Sequence, residues 1–146
     1  MIDWTNQEDK VSSNFSVKDC LYLPQWNRLA NEVDGLTDEI KDNLINLCAK
    51  MEVVRHFLGD KAIIVHCCYR PALYNALVKG APNSSHKIGK AMDFHVEGLG
   101  SVEGCLSVRE ILVPKLEEFE LRCENHSGSW CHVDFETPHP NRYFIP

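Results

Sequence analysis

The sequence has no stretch approaching the roughly 18 consecutive apolar residues that a membrane-spanning helix needs, which excludes insertion through such a helix. Its seven cysteines include no CxxC pair, and their number is odd. That argues against a zinc ribbon or a paired disulfide framework, so the cysteines read as reduced, buried, small apolar residues. Basic residues are outnumbered, 15 to 21, for a net charge of −6, which speaks against general nucleic-acid binding. No internal repeat, low-complexity tract or Pro/Ser-rich linker divides the chain, so residues 1–146 read as one domain, large enough for its own core. The opening segment, MIDWTNQEDK, lacks the basic and apolar regions of a secretory signal and leaves the localisation unknown.

Periodicity supplies the elements. The first 35 residues read as irregular apart from a short helix, where Ser16 and Asp19 form a capping-box pattern before Pro24. Thr37 caps the clearest helix, in which Ile40, Leu44, Leu47, Cys48, Met51, Val54 and Leu58 make one apolar stripe ended by Gly59. Residues 62–67 read as a buried strand, and 71–79 as a short helix. Ser107 and Glu110 suggest a second capping box, opening a helix to about Phe119 that Pro114 shortens. Residues 119–123 and 130–136 read as the last strands, and the proline-rich tail as a segment lying against the domain without forming an element. The fold class is α+β, a small antiparallel sheet with helices on one face.

Two strands alternate strictly. Met92, Phe94 and Val96 face one way, and Asp93, His95 and Glu97 the other; Cys131, Val133 and Phe135 oppose His132, Asp134 and Glu136. A solvated sheet face ordinarily carries Thr, Ser and Lys. Carboxylates and imidazoles gathered on one face compete for protons unless a cation organises them, and zinc accepts both donor types. His86, seven residues before Asp93, joins this set if the chain folds back at Gly89. His95 competes as a ligand.

These residues carry a resemblance. SSHKIGKAMDF resembles the S-x-H-x-x-G-x-A-x-D signature of zinc D-Ala-D-Ala peptidases, and SWCHVDF resembles the downstream segment bearing their third ligand. The likeness runs from about Phe15 to Phe135 and is closest to the small, single-domain bacterial and phage branch. It implies the fold shared with the hedgehog signalling domain, and one zinc ion bound by His86, Asp93 and His132 with water in the fourth position. It further implies that Arg70 binds a substrate carboxylate or the oxyanion, and that Ser84 is a hydrogen bonder at or beside the substrate. The E-x-x-H glutamate of many members is replaced by Ser129. Glu124, eight residues before His132, is the preferred general base, with Asp134 and Glu136 as alternatives.

The function so implied is a zinc metallopeptidase hydrolysing peptidoglycan stem peptides, as a D-Ala-D-Ala carboxypeptidase or a murein endopeptidase. It would act as a monomer on the cell wall, and a phage or prophage origin would explain a missing export signal. The alternative is a zinc-containing binding module that has lost hydrolysis. A cysteine hydrolase using Cys67 or Cys68 with His66 or His95 is a third reading without a supporting nucleophile motif. Residues 61–92 hold five bases (Lys61, Arg70, Lys79, Lys87, Lys90) and no acid, a locally basic approach suited to an anionic peptide.

Overall fold

The computed structural model describes residues 1–146. Two small hairpins open the chain, β1 (Lys10–Ser12) with β2 (Phe15–Ser16) and β3 (Tyr22–Leu23) with β4 (Arg28–Leu29), enclosing helix α1 (Val17–Leu21). They replace the irregular stretch expected there. The Ser16–Asp19 capping box at α1 is formed in both directions. Helix α2 (Asp38–Phe57) starts where Thr37 Oγ accepts from the Ile40 amide, and its buried stripe is Leu44, Leu47, Cys48, Met51 and Val54.

Five further strands make the main sheet: β5 (Ile63–Cys67), β6 (Ala91–Val96), β7 (Arg122–Glu124), β8 (Cys131–Asp134) and β9 (Tyr143–Phe144), in the order β5-β6-β8-β7-β9. Helix α3 (Ala72–Leu77) lies between β5 and β6; α4 (Val102–Leu112) and α5 (Leu116–Phe119) lie between β6 and β7. The class is α+β as expected, but the sheet is mixed, because β9 runs parallel to β7. The tail therefore does form an element.

Further features differ from the sequence reading: the strand expected at 119–123 begins only at Arg122, because Phe119 ends α5. Strand β5 is the sheet edge and not a buried strand, with Ile64 and His66 exposed. Helix α4 begins five residues before the expected cap, with Ser101 Oγ accepting from the Gly104 amide. Ser107 sits on its exposed side, because the buried stripe of Cys105, Val108 and Leu112 extends upstream to Gly104. Pro114 does end α4, in a 3-10 turn at Val113–Lys115.

One apolar cluster unites these pieces. Met92, Phe94, Val96, Cys131 and Val133 point from the central strands into the core that also contains the α2 and α4 stripes. At about 25 cal/mol per Å² of buried apolar surface, burial of this kind is the main force holding the layers together. With helices covering one face, alternation leaves Asp93 and His95 on β6, and His132 and Asp134 on β8, on the other.

Candidate metal centre

The centre is built by the pairing register of β6 and β8. Asp93 lies directly opposite His132, and Ala91 opposite Asp134. Across the next ladder Asp134 faces Arg122 on β7. His86 arrives from a 3-10 turn, Ser85–Ile88, whose first amides are held by Ser84: its Oγ accepts from the His86 amide. Gly89 ends that turn at φ +74°, and a Cβ there would lie 3.0 Å from both Cγ2 and the carbonyl of Ile40, so the fold-back needs glycine on two counts.

One ligand-type atom each from His86, Asp93 and His132 lies within 4.8 Å of the others. The imidazoles are oriented from behind. His86 Nδ1 donates to the Cys68 carbonyl at 2.6 Å, which leaves its buried Nε2 as the lone-pair atom. That atom has no hydrogen-bond partner, yet it faces Asp93 Oδ1 at 3.2 Å. His132 Nε2 donates to Asp134 Oδ2 at 3.0 Å, so Nδ1 faces the same Asp93 oxygen at 2.9 Å. A carboxylate oxygen thus meets two imidazole nitrogens whose own protons are committed elsewhere. Three donor atoms converging in a largely buried place suit a cation, and carboxylate with two imidazoles is a donor set zinc accepts.

Without a metal the conflict is resolved by protons. Burial disfavours a charged His132, but the Asp134 and Asp93 carboxylates outweigh it and raise its pKa to about 10. Burial likewise opposes ionisation of Asp93, but His86 and His132 hold it far below the usual carboxylate range. Glu124 stands 3.7 Å from His132 Nε2, and burial pushes its pKa up despite the opposing pull of His132. The surrounding cleft is about 410 Å³ and is also lined by Arg70, Ser84 and Trp130. The Arg70 amide donates to the His86 carbonyl, tying the two segments together, and its Nη2 reaches Ser84 Oγ at 3.4 Å while its buried Nε has no partner.

A family model described as Peptidase M15 matches residues 24–134. The chain belongs to that family. No curated protein matches the chain. M15 peptidases are zinc-dependent, D-Ala-D-Ala carboxypeptidase-like metallopeptidases, and the His86, Asp93 and His132 cluster of this M15 chain has the donors for one such ion.

The site residues expected from the sequence converge: His86, Asp93, His132, Glu124, Arg70 and Ser84 all line one cleft. His95 does not join them; it bonds His66 instead. Glu136 stays at the rim, 3.9 Å from Arg122. The cysteine-hydrolase reading fails, since burial pushes the Cys67 thiol up to about 12 and neither the Cys67 nor the Cys68 thiol bonds a histidine.

Other contributors escaped sequence reasoning. Arg122 grips Asp134 through Nε at 2.7 Å and Nη2 at 3.0 Å, and its guanidinium lies 4.3 Å from the Phe144 ring centroid. Fully buried Arg109 donates to the Trp130 carbonyl at 2.8 Å, pinning the chain just before His132. The alternation of Arg122 with Glu124 was the available signal for the first; nothing in the sequence marks the second. No helix is long and apolar enough to cross a membrane.

Proposed function

We propose that the chain hydrolyses peptide bonds in peptidoglycan stem peptides, with His86, Asp93 and His132 holding one zinc ion. The carrying observation is the buried, unpartnered His86 Nε2 aimed at Asp93 beside His132, within a cleft that also contains Glu124 and Arg70. When bound, zinc polarises the scissile carbonyl and lowers the pKa of water to about 7. Glu124, raised by burial, is suited to accept a proton from the attacking water and return it to the departing amine. Arg70 provides a fixed guanidinium for a terminal carboxylate or the developing oxyanion, held against Ser84. The lysines at 79, 87 and 90 lie outside the cleft lining, so the positive charge facing an anionic peptide comes from Arg70 and Arg122.

The replacement of the E-x-x-H glutamate by Ser129 favours a second reading, a zinc-containing binding module without hydrolysis. Incubating zinc-loaded protein with muropeptides and following released D-alanine and new amines by mass spectrometry separates the two. Cleavage that Glu124→Gln slows by about 100-fold or more, at unchanged zinc content, supports the peptidase. Zinc bound with no cleavage of any muropeptide overturns it in favour of the binding module. The product masses also distinguish carboxypeptidase from endopeptidase action.

A further inference from the structure

Beyond the Asp93–His132 pair, on the same face of β6, a second set of nitrogen donors is unused by the proposed peptidase. His66 Nε2 on β5 and His95 Nδ1 on β6 are 2.6 Å apart, with ring centroids at 4.9 Å and planes at 60°. Neither ring has another hydrogen-bond partner. His66 is exposed, so ions reach the pair from solvent.

The juxtaposition depends on a bulge. Regular pairing that sets Ile64 opposite His95 would set His66 opposite Asp93, but Cys67 occupies that position and His66 is the extra residue. Bulges re-aim side chains, and this one turns His66 toward His95 instead of toward the central cluster. On its other edge the His95 ring lies against Gly100, where a Cβ would stand 3.1 Å from Cδ2. The glycine leaves the His95 ring room on that edge while Nδ1 meets His66.

Two imidazoles on neighbouring strands form a chelating pair. With metal–nitrogen bonds of about 2.0–2.1 Å, two donors on one tetrahedral ion stand about 3.3 Å apart. Swinging the exposed His66 ring outward by less than about 1 Å makes that separation from the present one. We propose that His66 and His95 form a second, weaker site for a divalent transition ion that prefers imidazole, such as zinc or nickel, with water completing its coordination. His95 is two residues from Asp93 along an extended strand, and His66 and His132 flank that strand on opposite sides, so the two centres are about 7 Å apart or more. A pair of ions sharing one bridging oxygen needs about 3.5–4 Å. The second ion is therefore an independent occupant of the sheet face and not a partner in a two-metal reaction.

The test is equilibrium dialysis of the full chain against graded free zinc, with metal analysis. Wild-type protein takes up about two equivalents at high zinc and about one when zinc is scarce, the first at the three-ligand centre. His66→Ala and His95→Ala each keep the tight ion and lose the weak one, while His132→Ala keeps the weak ion and loses the tight one. His56→Ala, on an exposed helix end, changes neither. His66 is exposed, so an unchanged thermal melt of His66→Ala establishes that a lost ion is a lost ligand and not a lost fold. A wild-type chain that never exceeds one equivalent, or a weak ion that survives in both His66→Ala and His95→Ala, overturns the proposal. Because the two ions are removed by different variants, failure at this site is distinguishable from failure at the cleft.

Discussion

Asp134 accepts from His132 Nε2 at 3.0 Å while its other oxygen is held by Arg122 at 2.7 Å, with the carboxylate wholly buried between them. This chain of charge fixes both the ring orientation of His132 and the nitrogen it presents to Asp93. Such outer partners commonly change metal affinity by about 10–100-fold when removed. Asp134→Asn is therefore expected to weaken zinc binding by about that factor, as measured by competition with a chromogenic chelator. Unchanged zinc affinity would show that packing alone orients His132.

Arg70 is argued to recognise negative charge on the substrate. A charged hydrogen bond contributes about 1.5–3 kcal/mol, so Arg70→Met is expected to lower kcat/KM by roughly 10- to 100-fold while leaving zinc content intact. A loss confined to substrates with a free terminal carboxylate would assign Arg70 to that carboxylate. An equal loss on amidated substrates would assign it to the oxyanion.

The acid limb of stability has identifiable sources away from the cleft. Asp34 accepts from Arg28 at 2.6 and 2.8 Å, which holds its carboxyl below the ordinary value. Glu52 accepts from the Asn14 amide and side chain at 2.8 and 2.7 Å, which overcomes the opposing effect of burial and lowers it too. Both carboxyls bind protons less readily folded than unfolded. Their stabilisation is complete above the unfolded values, about 3.9 and 4.3, and is lost as pH falls through the lower folded ones. Urea midpoints of Glu52→Gln against wild type should differ at pH 7 and draw together as pH falls below the unfolded value and through the lower folded one. A difference that persists undiminished in acid would refute the assignment.

The thiols should be slow toward alkylating or disulfide reagents in the native state. Six of the seven cysteines are buried, and burial pushes Cys67, the partly exposed one, up to about 12 and Cys123 likewise to about 12. The thiolate is the reactive form, so little is present at neutral pH. Native protein at pH 7.5 is expected to react far more slowly than urea-unfolded protein, with Cys67 modified first as shown by peptide mapping. Rapid native labelling of Cys67 would contradict its elevated pKa.

Much of the site was legible because alternation carries geometry. Residues 91–96 and 131–134 repeat with period two, so assigning Met92 and Phe94 to the core places Asp93 on the opposite face. Distant pairings were not legible in this way. Tyr143–Phe144 is too short to show a period, and its partnership with β7 depends on contacts made only after the sheet forms. The sequence places the start of α4 too late because Ser107 and Glu110 mimic a capping box, whereas Ser101 has only Gly104 at the matching position. His95 reads as a rival ligand because alternation shows its face, whereas nothing in the sequence marks the bulge that supplies its partner, His66.

The strict alternation of β6 also guards the centre against misassembly. A slip of β6 by one residue would turn Met92 and Phe94 toward the cleft and bury the Asp93 carboxylate among Leu47, Met51 and their neighbours. No half-correct version of this sheet keeps its core and its ligands together. The hydrophobic residues thus proofread the metal centre, and a molecule able to capture the ion is one whose strands have already been aligned.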